Sequence, residues 1–143
     1  MTKKEISAIL SRASKEEVEK ITAPLKETEQ IEIIKQPQKT LVMVKVRESV
    51  GQSLFYLGEV LATECMVTVN GTKGFSVMAG DDFDKSLSAA VVDGLLNNKD
   101  KDSKREKVMQ EIAKLGKKQQ AGRARMNAEI LKSKVNFNVM GES

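Results

Sequence analysis

The sequence predicts an α+β domain, and three observations carry that expectation. Two helix-start signals stand near the N-terminus, hydrophobic periodicity changes to two after Glu29, and a helical period returns after Asp81. The expected order is two short N-terminal helices, an antiparallel sheet of about four strands, one packed helix and a long basic C-terminal helix. At 143 residues the chain fits a single domain, 1–143, with enough surface to bury a core of its own.

Thr2 and Glu5 have capping-box spacing, and Ile6, Ile9, Leu10 and Ala13 then share one helical face. Ser14 and Glu17 repeat the device ahead of Val18, Ile21 and Leu25, with Pro24 expected to end or bend that second helix. "IEIIK" and "TLVMVKVRES" read as two strands joined by a hairpin at Gln36-Pro37-Gln38-Lys39. "LFYLGEVLATECMVTV" is a longer β-type run in which Gly58 marks a bulge or bend. Asn70-Gly71 is the preferred dipeptide of a two-residue type I′ turn, and Gly74 to Ala79 form the return strand.

Residues 82–97 read as a helix with Leu87, Ala90, Val91, Gly94 and Leu95 toward the sheet. Residues 104–134 read as a basic helix with Val108, Ile112 and Leu115 on one stripe, and Ala124, Ala128, Leu131 and Val135 on its continuation. Gly116 and Gly122, each costing about 1 kcal/mol in a helix interior, mark a break near 116–122. The tail "VNFNVMGES" is too apolar for a free end and is expected to dock.

The chain has no histidine, no tryptophan and one cysteine, Cys65. Histidine is the commonest general base and a leading metal ligand, so Ser–His–Asp, Cys–His and histidine-bound zinc chemistries are excluded. Cys65 alternates with Val67 and Val69 and reads as core. Glu59 and Glu64, five apart in an extended run, face opposite ways and make a poor acid–base pair. No run is apolar enough to span a membrane, and the basic N-terminus lacks a signal-peptide pattern, which points to the cytoplasm.

"AGDDFD" raises the question of metal. Asp81, Asp82 and Asp84 suit magnesium as an independent phosphotransferase would use it, but they also suit a helix start. Gly80 lets the chain turn, Asp81 or Asp82 caps, and Asp84 sits in the first turn where negative charge is favoured. The capping reading is preferred, because a metal site needs carboxylates from a second element. Asp93, on an otherwise apolar helix, is expected to bond a backbone group or meet a basic partner.

Charge is uneven: residues 99–134 hold twelve Lys and Arg against five Asp and Glu, a net of +7, within a chain of net +4. Within "GKKQQAGRAR", Lys117, Lys118, Arg123 and Arg125 could grip a phosphate or an acidic partner, or form a solvated face. The Gly-Lys-Ser/Thr of a Walker loop is absent. A free-standing nucleotide- or nucleic-acid-binding module is the alternative function, weakened by an aromatic content of 3%.

The stretch "FYLGEVLATECMVTVNGTKGFSVMAGDDFDKSLSAAVVDGLL" resembles the PhnG family of the bacterial carbon–phosphorus lyase system. The matching elements are Tyr56 to Leu61, Gly71, Gly74-Phe75, Gly80 to Asp82, and Ala89 to Asp93, with "NAEILKSKVNFNVM" similar to the family's closing segment. The resemblance implies a subunit with no catalytic, metal or cofactor residues of its own. It implies partnership with PhnI, PhnH, PhnJ and PhnL-type proteins, a homodimer within the complex, and no nucleic acid or membrane. The complex transfers an alkylphosphonate to ATP with displacement of adenine, giving a ribose alkylphosphonate triphosphate.

Overall fold

A computed structural model describes residues 1–47, 51, 53–98 and 103–142; for 46, 47, 55, 56, 103 and 130–142 it describes the backbone alone. The elements are α1 (Lys3–Arg12), α2 (Lys15–Thr28), β1 (Ile31–Arg47), β2 (Leu54–Val69), β3 (Thr72–Ala79), α3 (Phe83–Asn97) and α4 (Ser103–Glu142). The fold is α+β, with four helices and a three-stranded antiparallel sheet in the order β1-β2-β3.

Both N-terminal helices begin on their expected caps. Thr2 accepts from the Glu5 N–H at 3.2 Å, and Ser14 and Glu17 exchange reciprocal bonds of 3.1 and 3.0 Å. Pro24 does not end α2, which runs on to Thr28. The helix is clamped through Val18, Ile21, Thr22 and Leu25, all buried. Tertiary packing of that face outweighs the roughly 3 kcal/mol cost of an interior proline.

The expected four strands are three, because "IEIIK" and "TLVMVKVR" are one 17-residue strand. Gln36-Pro37-Gln38-Lys39 is not a hairpin. β1 is an edge strand, where a proline without an N–H is tolerated, and its register against β2 slips between Lys35 and Gln38. Two further slips lie between Ile33 and Lys35 and between Val44 and Lys45, the latter opposite Gly58, whose φ of 149° suits glycine. Asn70 and Gly71 take φ of 51° and 84°, the double positive φ of a type I′ turn, and Val69 pairs with Thr72. That turn is fixed to the root of β1 by Gln30, whose N–H donates to Asn70 Oδ1 and whose carbonyl accepts from the Asn70 N–H.

α3 lies between two layers, with the sheet on one side and α1, α2 and α4 on the other. Its Ala89, Ala90, Val91, Val92 and Leu95 are all buried, so it is apolar around most of its circumference. They meet Cys65, Val67, Val69 and Met78 of the sheet and Ile6, Leu10, Val18, Ile21, Leu25, Val108 and Ile112 of the other helices. Buried hydroxyls are satisfied: Ser76 donates to the Ser86 carbonyl at 2.6 Å, and Thr22 donates to Ser88 at 3.2 Å.

α4 passes through Gly116 and Gly122 without the expected break. Gly116 sits against Ile9, where a Cβ would come within 2.9 Å of the Ile9 Cδ1. Gln119 Nε2 donates to the Ile9 carbonyl at 2.9 Å. The helix is held where its glycine falls. Residues 121–129 are exposed, and the expected docking of "VNFNVMGES" rests on side chains outside the described residues.

Candidate functional site

At the junction of β3 and α3, Gly80 has φ 100° and its N–H donates to the Leu61 carbonyl at 2.9 Å. The Gly80 carbonyl accepts from Thr63 Oγ1 at 2.8 Å, so the turn is tied to β2 on both sides of its peptide. Asp82 is the N-cap of α3, accepting from the Lys85 N–H at 3.1 Å. Asp84 pairs with Lys15 at 2.8 Å, and that hydrogen bond holds its carboxyl below the ordinary range while raising Lys15. Lys85 turns the other way and donates to the Ser11 carbonyl. Asp82 and Asp84 are thus each engaged in fixing an end of a helix. Among the described residues, no three His, Cys, Asp or Glu side chains converge to hold a metal ion.

Asp93 does both things its position suggested. Its Oδ2 accepts from the Phe75 N–H at 2.9 Å, and its other oxygen lies 3.7 Å from Lys3. Asn97 joins at 3.2 Å and reaches the Lys73 carbonyl, so this carboxylate stitches the edge strand β3 to α3. Glu64 is held below its usual range first by Lys35 and then by Gln38, both on β1. Cys65 is fully buried, and desolvation raises its thiol.

The four basic residues of α4 do not form one cradle. At 3.6 residues per turn, Lys118 and Arg125 lie about 20° apart around the helix, while Arg123 is about 140° from Lys118. Lys118 is also engaged with Glu17 of α2 at 3.2 Å. Lys117, Arg123 and Arg125 are exposed. Charge is spread around a helix rather than aimed at a point, an arrangement suited to a broad acidic surface more than to one phosphate group.

The larger feature is apolar. β3 pairs with β2 only from Ala62 to Val69, while β1 follows β2 from Val69 to Leu54. Residues 41–47 and 54–61 therefore form a two-stranded ribbon beyond the reach of β3. Leu41, Val42, Met43, Leu54, Leu57, Val60 and Leu61 on this arm are 38–67% exposed. Phe75 and Val77, on the sheet face away from α3, are 44% and 43% exposed. Contiguous exposed apolar surface of this extent is a common feature of interaction sites. Sequence reading placed strands here but missed the arm, because the extent of pairing with β3 decides which residues project. The unbroken apolar runs "LVMV" and "LFYL" were the available signal.

Among the described residues, no helix is long and apolar enough to cross a membrane. No curated protein matches the chain closely enough to count as a relative. The family model for phosphonate metabolism protein PhnG matches residues 1–141 of the 143, from ahead of α1 to the penultimate residue of α4. The chain belongs to the PhnG family of phosphonate metabolism proteins.

Proposed function

We propose that the chain is a structural subunit of a carbon–phosphorus lyase core complex, acting beside PhnI, PhnH, PhnJ and PhnL-type subunits in the cytoplasm, with two copies per assembly. In this reading it supports the transfer of an alkylphosphonate to ATP with displacement of adenine, and supplies no catalytic side chain or cofactor. Family membership gives the pathway. The observation that supports the assembly role is the exposed apolar surface of the arm and open sheet face, which is a liability for a chain working alone. Holding catalytic partners in productive geometry is itself worth several kcal/mol of barrier, so a subunit without reactive groups can be essential.

The test is reconstitution. Companion subunits with and without this chain are assayed for adenine released from ATP in the presence of methylphosphonate. Release that depends on the chain, with the chain recovered at fixed ratio in the complex, supports the reading. Undiminished release without it overturns the reading. The alternative, a free-standing nucleotide- or nucleic-acid-binding module, has weaker support, since Lys118 is paired and Arg123 points away from Arg125's side of α4.

A further inference from the structure

β2 has two halves of equal length, and only one has a neighbour on the side of β3. Residues 62–69 pair with all eight residues of β3, Thr72–Ala79. Residues 54–61 have no strand there among the described residues, and the Gly80 N–H ends the ladder on the Leu61 carbonyl. β3 is open on its other edge. Gly80 bonds toward β2 and Phe75 bonds away from it to Asp93, so odd-numbered residues of β3 turn their backbone groups outward. The Val77 N–H and carbonyl thus face outward, with no partner among the described residues. α1 flanks this edge. Lys3 pairs with Asp93 and the Ser11 carbonyl accepts from Lys85, so α1 runs antiparallel to α3 along its outer side. Between α1, α3 and β3 lies a cavity of about 190 Å³, lined by Ile6, Leu10, Ala89, Val92 and Leu96. That exceeds the roughly 150 Å³ that takes a benzene ring, so one bulky apolar side chain fits.

We propose that a second copy of this chain lays its arm along the open edge of β3 and takes the first copy's arm along its own β3 in return. A two-fold axis perpendicular to the sheet, just beyond Gly80, sets the two β3 strands end to end in one column. The axis reverses β2, which is antiparallel to β3, so the partner's residues 54–61 run parallel beside residues 72–79. The lengths match, eight residues against eight. The result is one continuous sheet in which each α3 covers its own half of the shared column. α1 then underlies the partner's arm, on the face where Leu41, Met43 and Leu61 share a side of the sheet with buried Thr63 and Cys65. An arm leucine fills the cavity. Two open edges and an apolar face are satisfied by one closed, symmetric contact. A strand from a different chain could cover β3 but would leave residues 54–61 open. Side-by-side pairing of the two β3 edges is excluded, because opposed residues share a face. Both α3 helices would then sit one strand spacing apart, about 4.8 Å, where packed helices need about 8–10 Å. The interlock gives the two copies of the assembly reading their contact and rests on that reading only for their number.

The test uses the full chain, purified, with Cys65 kept because it is buried. Leu57→Cys and Phe75→Cys, both at exposed sites, are combined in one chain and treated with a short bismaleimide. Phe75 lies opposite Met66, so within one copy the two sites are about 30 Å apart along β2. Across the interlock they lie on adjacent strands, about 4.8 Å from each other. A covalent dimer is expected from the double variant and from neither single variant. Glu59→Pro and Val77→Pro give a second measurement. Leu61 turns its carbonyl toward the β3 side and Glu59 faces the same way, so each proline removes an N–H that has no partner within one copy. Each should keep the wild-type melt while light scattering shows dimerisation at least tenfold weaker; if a proline lowers the melt, the cross-link decides. A monomeric wild-type chain, a dimer without the 57–75 link, or a dimer that both prolines leave intact would overturn the interlock. A monomeric chain that still recovers PhnI, PhnH and PhnJ-type companions would overturn it while upholding the assembly reading. A linked dimer that recovers no companion would uphold the interlock and remove the assembly reading.

Discussion

Gly74 of β3 lies directly against Gly94 of α3, backbone to backbone. A Cβ on Gly74 would overlap the Ala90 carbonyl oxygen and the Gly94 backbone, and one on Gly94 would come within 2.7 Å of Val69 Cγ2. This close approach brings Asp93 within reach of the Phe75 N–H. Gly74→Ala should therefore force the edge strand off the helix, and at a site bounded by backbone the cost should reach about 3 kcal/mol, the upper end of overpacking effects. Urea unfolding measures it; a change under about 0.5 kcal/mol, the size of a surface substitution, would show that the two elements separate easily.

Asp82 should behave as a cap and nothing more. Asparagine caps as well as aspartate, so Asp82→Asn should leave stability near wild type, whereas Asp82→Ala should lose about 1 kcal/mol. In the proposed assembly, adenine release that collapsed in Asp82→Asn while its melt stayed wild type would assign this carboxylate a chemical role.

Pro24 is a stabilisation waiting to be made. It is exposed, and as proline it leaves the Lys20 carbonyl without its i+4 donor in the middle of α2. Pro24→Ala restores the donor and should raise stability by a sizeable part of the roughly 3 kcal/mol that interior proline costs. A variant no more stable than wild type would mean α2 has already relaxed around the ring.

Glu17 ties α2 to α4 and makes that tie sensitive to acid. Its carboxyl is held below the ordinary value of 4.5 first by the Ser14 N–H and then by Lys118. A depressed folded pKa means the contribution is complete above about pH 4.5 and is lost as pH falls through the lower folded value. The stability gap between wild type and Glu17→Gln should therefore be widest near neutrality and close in acid. A gap independent of pH from 7 to 3 would remove the carboxylate from the account.

Cys65 should be silent to thiol reagents until the domain opens. It is fully buried and its thiol is raised by desolvation, so labelling at pH 8 should track global unfolding in denaturant. Rapid labelling of the native chain would reveal local opening of β2.

The elements whose signals are local were legible in the sequence. Ser14 with Glu17, Asn70 with Gly71, and Gly80 before Asp82 each specify a backbone geometry within a few residues, and each has it. What depended on distant partners was not legible. Pro37 resembles a turn until β1 is known to be an edge, Pro24 resembles a stop until the burial of Val18 and Leu25 is known, and Gly116 resembles a break until Ile9 fills the space beside it. The arm belongs to the same class: its apolar residues could be read, but their projection depends on where β3 leaves the sheet. The basic residues could be counted but not aimed, since their angular spread matters only once α4 is continuous.

The irregularities between β1 and β2 acquire a further significance from the arm's composition. In most strands a slip of one residue is punished because it turns the apolar set toward water. A ribbon with Leu41 and Met43 on one face and Val42 on the other loses that proofreading, since a slipped copy buries almost as much. Pro37, which cannot donate a ladder bond, and Gly58, which holds a backbone angle other residues resist, each fit one alignment of the two strands. They work as indexing notches. The chain can present a surface greasy on both sides and still assemble in a single alignment because its backbone, not its side chains, keeps the count.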